Sequence, residues 1–569
     1  MNKREGIRNP AVFSVFALLA GILIIRSFYG FCQSDESFYA STAGRFAAGD
    51  LVFADDWHPT QLASLITAPF YLLYTKVTGG TAGILLFFRV LYVIFTAVEA
   101  AVVFLLAGKK KGKVPAFALS LFLMLYCHLN IATLSYYTLC FHFFVLSMTV
   151  VYCADKIAGY IIGGLFFALS VLSLPSLVAG YVIVMLILIF ACFFYPDLRR
   201  PLIFFTAGIA IPLLLFVIYL YASGNSIARL LANLPYILSD SEHDRGWYES
   251  VKVFFRAISD VFGRIYYLSI VMVILAMLSY VNSGLKKHIV PYLLLADVLM
   301  FGYYFAIGCN NTGFMNTAFA LFVFPLFFLT EKKDWFVFLG LFLGGLAVSM
   351  TYSLSSFCDL YVLSIGHGIA AAGGLLLFWD FMLETAPKAE NKWIKSVYRL
   401  LMIIPAAFLI VTLVLRFAYV YRDDRLTELK YRLDKGPAAG LYTSLDHKAQ
   451  YDSLYESILK YDDKEKGGVL FTRLLPWGYT AVSSRVSACD TWRHSISDER
   501  LIEYYKSHEL PYAVFVLNAE VASYESSGDV EADPAPNVNE FEGVLAERLE
   551  KEYDIHNEEY CTVYVRRGQ

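Results

Sequence analysis

The sequence predicts a polytopic α-helical membrane protein with an α/β domain at its C-terminal end. Three observations predict it. Apolar runs of about 20 residues, each long enough to cross a bilayer as a helix, recur between residues 11 and 419. Only 17% of the 569 residues are charged and 58% are hydrophobic, with a mean hydropathy of +0.56, whereas soluble domains are usually about a quarter charged. Beyond residue 420 charge rises and the apolar runs shorten. Residues 1–419 therefore read as a membrane module and 420–569 as a separate domain. The formal net charge of −3 gives no electrostatic footprint for nucleic acid.

The N-terminal residues Met1 to Pro10 carry Lys3, Arg4 and Arg8 ahead of an apolar run. A signal peptide begins the same way, but this run is long and ends without a small-residue cleavage site, so it is read as an anchor. Thirteen spans are expected, at 11–29, 82–107, 114–129, 136–153, 158–174, 177–195, 201–221, 266–282, 289–307, 314–330, 335–352, 361–383 and 397–419. With a cytoplasmic N-terminus, the loops that should be basic do carry Lys and Arg: Lys109-Lys110-Lys111 with Lys113, Arg199-Arg200, Lys286-Lys287, Lys332-Lys333, and Lys388 to Lys395. That agrees with the positive-inside rule. It places the first loop (30–81), the 222–265 loop and the C-terminal domain outside the cytoplasm.

Thr60 to Tyr74 is apolar but too short and broken to span, and reads as a helix lying in the interface. The 222–265 loop, with His243, Asp244, Arg245 and Arg256, reads as interfacial helices flanking a polar turn. Leu174-Pro175-Ser176 reads as a turn between two spans. Beyond 420, strands are expected at 440–443, 468–472, 512–517 and 560–566, with helices at 447–460, 498–508 and 540–553. That alternation predicts a largely parallel sheet. No Gly-rich phosphate fingerprint accompanies it, so nothing supports a nucleotide. Ser523 to Asn539, rich in Glu, Asp, Pro and Ser, reads as an exposed loop.

Nine Cys are scattered without metal-finger spacing, and Cys127, Cys140, Cys153 and Cys192 in apolar helices read as small hydrophobes. Cys489 and Cys561 share the C-terminal domain, Cys309 and Cys358 fall in loops on one predicted face, and either pair leaves a disulfide open. No internal repeat is visible, although transporters are commonly built of repeats.

The chemistry concentrates in the first loop. Asp35-Glu36 follows the end of the first span, and Asp55-Asp56-Trp57-His58-Pro59 follows about 20 residues later. Beside a bilayer such carboxylates can act as a general base, bind a divalent cation that neutralises a phosphate leaving group, or simply be solvated. Trp57 and Pro59 predict an ordered second stretch. His58 can meet a phosphate or a metal, or pair with Asp55 or Asp56. Tyr39 and Phe38 either staple the loop to the helices or stack on a sugar. Tyr136 and Tyr137 sit at the outer end of the fourth span, where Tyr is ordinarily an interface anchor. Arg89, Glu99 and Asp297 lie within spans, where ionisable residues are functional candidates by default. Arg89 is near the outer end; Glu99 and Asp297 lie deeper, where interhelical pairing is expected. His58, Lys76, His243, Arg245 and Arg256 share the outer face and can bind a donor phosphate or lipid headgroups.

Asp35-Glu36-x-x-Tyr39, with Ala43, Arg45, Gly49-Asp50 and then His58-Pro59 before an amphipathic segment, resembles the first loop of the GT-C glycosyltransferases. The likeness is to the bacterial lipid A aminoarabinose transferases and the protein O-mannosyltransferases, the former similar also in having about thirteen helices and an outer α/β domain. The resemblance implies transfer of a sugar from a polyprenyl-phosphate donor to a glycan, lipid or protein acceptor at the outer face of the plasma membrane, with inversion. Asp35 then matches the catalytic base and Glu36 the acid beside it. His58-Pro59 falls where the aminoarabinose transferases have Lys-Pro, and His is a weaker, pH-dependent cation. Trp57 replaces the acid before that lysine, leaving Asp55 and Asp56 as the candidate ligands for a divalent cation. Tyr136 and Tyr137 match a Tyr-rich stretch that lines the donor cavity. The competing reading is a flippase or transporter of a lipid-linked saccharide, which should gather its polar residues near the bilayer midplane. A third is a scaffolding protein whose α/β domain is the active part.

Overall fold

The computed structural model describes residues 9–238, 247–263, 265–353, 359–388, 391–472, 474–492, 498–518 and 544–568. It is a polytopic helical membrane protein: among the described residues, eight helices are long and apolar enough to cross a bilayer. They are α1 (Asn9–Arg26), α4 (Ile84–Lys111), α8 (Leu177–Phe194), α9 (Arg199–Ala222), α13 (Ser283–Gly308), α14 (Thr312–Leu329), α16 (Asp359–Thr385), and the pair α17 (Lys392–Leu401) and α18 (Ile403–Ala418), which count as one. The other five expected spans are shorter apolar helices: α5 (Lys113–Leu125), α6 (Tyr136–Tyr152), α7 (Ile157–Ser173), α12 (Ile265–Val281), and the π-helical turn Val337–Leu343 running into α15 (Gly344–Ser353).

The first loop is helical where the sequence predicts a loop. Asp35 and Glu36 open α2 (Asp35–Ala48), which ends on Gly49 at φ 106°. There the amide of Gly49 closes onto the last carbonyls of the helix, the usual C-terminal glycine arrangement. The expected interfacial helix is α3 (Gln61–Thr78). The 222–265 segment forms α10 (Ile227–Leu238) and α11 (Trp247–Phe262).

From Ser364 to Phe378, α16 is buried on every side against α14, α15 and α5. Close approach depends on glycine. A Cβ on Gly366 would lie 2.2 Å from the carbonyl of Gly345, and one on Gly208 of α9 would lie 2.1 Å from the carbonyl of Ile161 in α7. Small residues at crossings let helices pack by dispersion where lipid removes the hydrophobic drive. The periphery is the inverse: Ile183, Leu186, Ile187, Phe190 and Phe193 of α8 are exposed, as expected of a lipid-facing surface.

After α18 come β1 (Tyr431–Arg432) and β2 (Tyr442–Thr443), a small antiparallel pair. Then follow α19 (Leu445–Lys460), β3 (Val469–Phe471), α20 (Pro476–Ala481), α21 (Asp498–Tyr504), β4 (Ala513–Leu517), α22 (Val544–Glu552), β5 (Tyr553–Asn557) and β6 (Cys561–Arg566). The main sheet has the order β3-β4-β6-β5, and only β3–β4 is parallel. The expectation of a largely parallel sheet is thus corrected. A short turn after β5 returns the chain as a hairpin, with no crossover helix to make the next pair parallel. The edge strand β5 buries only Tyr553, so its polar sequence carries no strand pattern and the sequence predicts no element between Tyr553 and Tyr560.

Cys489 and Cys561 are buried free thiols. The carbonyl of Cys489 accepts the Trp57 N–H, whereas Cys561 sits in register with Leu517 on the sheet, so the two cysteines serve different surfaces. Cys309 is a free, exposed thiol, and Cys358 lies outside the described residues. Leu174 to Ser176 does turn between α7 and α8.

Candidate active site

The chain between α1 and α2 is held by the C-terminal part of the protein. Gly30 N–H donates to the Tyr442 carbonyl at 2.9 Å, Tyr442 N–H to the Phe28 carbonyl at 2.7 Å, and Phe31 N–H to Asp423 Oδ2 at 2.6 Å. Phe31 packs edge-on against Tyr451 and Trp477. This seating fixes where α2 begins, and thereby where its two acids stand.

Neither acid is solvated: Asp35 is 8% and Glu36 4% exposed. The Asp35 carboxylate is held on one side. Its Oδ2 accepts from Tyr421 OH at 3.0 Å and Ser34 Oγ at 3.3 Å, and lies 3.2 Å from Arg422 Nη1. Arg422 Nη1 also donates to Ser34 Oγ at 2.5 Å. Oδ1 takes no hydrogen bond from the described residues. Glu36 is fully engaged: Arg89 Nε reaches Oε1 at 3.1 Å and Oε2 at 3.0 Å, and Nη2 also contacts Oε2. Arg89 Nη1 donates onward to the Ser27 carbonyl at 2.9 Å. Such forked pairs fix geometry as well as charge. Both acids also lie in the first turn of α2, where the helix dipole favours negative charge.

Two further arginines close this end of the bundle. Arg26, the last residue of α1, donates to the carbonyls of Phe417 at 2.7 Å, Tyr419 at 2.8 Å and Tyr29 at 2.7 Å, and so satisfies the C-terminus of α18. Arg416 donates through Nη1 to Asn130 Oδ1 at 2.7 Å. Arg26, Arg89, Arg416 and Glu36 line a cavity of about 20 Å³, room for a water and too little for a sugar.

The predicted aromatic residues gather. The Tyr39 and Tyr136 rings are 5.7 Å apart, Tyr136 and Tyr137 3.9 Å, and Tyr352 OH donates to Tyr137 OH at 3.2 Å. Burial, with the Asp35 charge adding to it, pushes the Tyr39 phenol well above its usual range. A capping box between Ser135 and Thr138 starts α6 and sets the orientation of this tyrosine pair.

The second acidic stretch is spent on the protein itself. Asp56 pairs with Arg45 Nη1 at 3.0 Å and accepts the His58 N–H at 2.8 Å. Burial would lower the Arg45 guanidinium, but Asp50 and Asp56 beside it reverse that and hold it charged. Asp55 accepts the Leu51 N–H at 2.5 Å and meets His508 Nε2 at 3.0 Å. Burial pushes the Asp55 carboxyl up, but the His508 hydrogen bond, the Leu51 amide and Arg45 outweigh it and hold it below the usual range. His58 is buried, its Nδ1 bonded to Thr60 and its ring 4.6 Å from Phe38. Lys76 and Arg256 are exposed, on α3 and α11, and Arg245 and His243 lie outside the described residues. Of the four described cations expected to meet a donor phosphate, His58, Lys76, Arg89 and Arg256, only Arg89 reaches Glu36. Glu99 contacts His142 Nδ1 across helices. Asp297 is buried and finds no hydrogen-bond partner among the described residues, so the pairing expected of it is absent there.

By spacing alone Asp423, Asp424 and His447 could ligate a metal, their ligand atoms lying within 4.8 Å of one another. The donor set fits poorly. Asp423 Oδ2 takes the Phe31 N–H and Thr443 Oγ1, and Oδ1 takes His447 Nδ1 at 2.6 Å and the Asp424 N–H at 2.8 Å. Both oxygens are occupied in fastening the C-terminal part to the first loop.

Sequence reasoning missed Tyr421, Arg422, Arg416, Arg26 and Tyr352. One signal was available: Arg26 and Arg416 are each the basic residue in the last turn of an apolar helix. Nothing in the sequence pairs Tyr421-Arg422 with Asp35. No protein-family model matches the chain, and no curated protein matches it.

Proposed function

We propose that this chain is a thirteen-span GT-C-type glycosyltransferase that moves a sugar from a polyprenyl-phosphate donor to an acceptor hydroxyl at the outer face of the plasma membrane. The N-terminus is then cytoplasmic, and the Asp35 end of the bundle and the C-terminal domain are extracytoplasmic. The observation that carries the reading is the Asp35 carboxylate, oriented through Oδ2 by Ser34, Tyr421 and Arg422, with Oδ1 taking no hydrogen bond from the described residues. A carboxylate so held is a positioned base. Oδ1 takes the proton of the acceptor hydroxyl as its oxygen attacks the anomeric carbon. The bond from that carbon to the phosphate oxygen breaks on the opposite face, its electron pair leaves with the lipid phosphate, and the anomeric centre inverts. The phosphate needs positive charge more than an acid, and this end holds Arg26, Arg89 and Arg422 beside Asp35 and Glu36. Tyr39, Tyr136 and Tyr137 supply aromatic faces beside the base. No step is routed through a divalent cation.

The test is transfer of radiolabelled sugar from a panel of polyprenyl-phosphate sugars in membranes, comparing wild type with Asp35→Asn at equal expression. Loss of transfer by a factor of about 10² to 10⁴, the range for a general base, supports the reading. A mutant as active as wild type removes Asp35 as base. If no donor yields transfer with any acceptor while the protein flips a lipid-linked saccharide across vesicles, the transporter reading replaces it.

A further inference from the structure

We infer that the cavity between the ends of α5, α13, α14 and α18 is a second ligand site and that it takes the phosphate headgroup of an anionic lipid. The cavity measures about 480 Å³ and none of its lining residues is a carboxylate. Its charge comes from Arg416, which is 4% exposed. Nη1 is anchored on Asn130, but Nε has no hydrogen-bond partner, and no carboxylate among the described residues lies within 4 Å of the guanidinium. Burying a guanidinium without a counterion is strongly unfavourable. Arg26 escapes that cost by donating to three carbonyls, Phe417 and Tyr419 at the α18 terminus and Tyr29 just after its own helix; Arg416 does not, and it lines the cavity.

The opposite wall adds to the same field. The 18-residue helix α14 begins there, with Asn311 Oδ1 accepting the Phe314 N–H at 3.0 Å. The amides of Thr312 and Gly313 have no intrahelical acceptor, as in any first turn, so the positive end of the helix faces the cavity that Arg416 lines. Asn130, Asn310, Asn311 and Thr412 carry the rest of the polar lining. Leu125, Leu129, Ile307 and Phe314 carry the apolar part. A guanidinium, a helix N-terminus and amides beside an apolar wall at the end of a membrane bundle match an amphiphile with a phosphate head. A free phosphate would use only half of that lining. The site does not rest on glycosyl transfer: a chain that moved no sugar would still bind here, and a wrong lipid assignment would leave Asp35 untouched.

The test is calorimetric titration of full-length protein in neutral detergent with dioctanoyl phosphatidic acid, dioctanoyl phosphatidylcholine and inorganic phosphate. It is repeated on Arg416→Gln and on Leu415→Trp, which fills the cavity and keeps the arginine. Binding of phosphatidic acid at least tenfold tighter than of the other two, and weakened at least tenfold in both variants, is the expected result. Should Arg416→Gln misfold by circular dichroism, Leu415→Trp decides alone. Phosphatidic acid bound equally by wild type and by folded Leu415→Trp overturns the site, as does no binding at all. Inorganic phosphate bound as tightly as phosphatidic acid overturns the lipid assignment.

Discussion

Arg422 Nη1 stands 3.2 Å from Asp35 Oδ2, joining the segment that follows the last membrane helix to the first residue of α2. Tyr421, the neighbouring residue, donates to the same oxygen. The carboxylate is thereby fixed in rotation as well as in place, and the fixing groups come from the far end of the chain.

The first prediction concerns that pair. Tyr421→Phe and Arg422→Gln leave Asp35 in place but free its rotation. Misorientation of a reacting group costs rate on the order of 10²-fold, so both variants should lower kcat for sugar transfer while changing KM little. Steady-state kinetics across donor concentration reads the split. A rise in KM at constant kcat would instead assign these residues to donor binding.

The Arg89–Glu36 pair makes a stability prediction. Both side chains are almost fully buried, 6% and 4% exposed. Removing one partner strands a buried charge, at about 3–5 kcal/mol. Arg89→Gln alone should lower the melting temperature of the detergent-solubilised protein substantially, and Arg89→Gln with Glu36→Gln should recover much of the loss. A double variant no more stable than the single one would show that the pair is not coupled.

What the sequence disclosed follows from the range of the forces involved. Membrane helices were legible because burial in lipid demands continuous apolar runs, a local property. Asp35 and Glu36 were legible because two adjacent acids at the end of such a run are costly without a use. The helix they begin was read as a loop because α2 (Asp-Glu-Ser-Phe-Tyr-Ala-Ser-Thr-Ala) mixes polar and apolar residues on every face: it is buried against protein on nearly all sides, so no amphipathic stripe forms. The pairing of Asp35 with Tyr421 and Arg422 spans most of the chain and has no periodicity to betray it. The exposed strand β5 was lost for the opposite reason, having almost nothing buried to pattern it.

A third prediction is pH-dependent. Asp55 is held below the usual carboxylate range in the folded state, the His508 hydrogen bond and the Leu51 amide prevailing over burial. A depressed folded value means that the stabilisation is complete above the unfolded value of about 3.9 and is lost as pH falls through the lower folded value. At about pH 5 the melting temperature of wild type should therefore exceed that of Asp55→Asn, and the margin should close as pH falls below about 4. Thermal scans of both proteins across that interval check it. A margin that widens toward acid would reverse the sign and remove the ion pair as its source.

The α7–α9 crossing predicts a steric failure independent of charge. A Cβ on Gly208 would lie 2.1 Å from the Ile161 carbonyl, which is backbone and cannot swing away. Gly208→Val should separate the helices and lower the melting temperature, whereas Gly302→Ala, where a Cβ meets nothing within 4 Å, should be close to neutral. Equal melting of both variants would mean that the crossing tolerates side chains.

The last prediction tests whether the C-terminal domain is an accessory or part of the site. Truncation after Glu428 keeps Tyr421 and Arg422 but removes Tyr442, whose backbone bonds to Phe28 and Gly30 seat the turn before Asp35. It also removes Thr443 and His447, which hold Asp423 against Phe31. Cys489 and Arg500, which fasten Trp57 through its N–H and its carbonyl, go with them. The anchors that residues beyond 428 give the first loop would be lost, while Asp423, the base and its two orienting groups remain in the chain. Sugar transfer should fall to the level of Asp35→Asn in a truncated protein that still inserts and purifies as a monodisperse species. Retention of half or more of the activity would show that the membrane helices alone position Asp35.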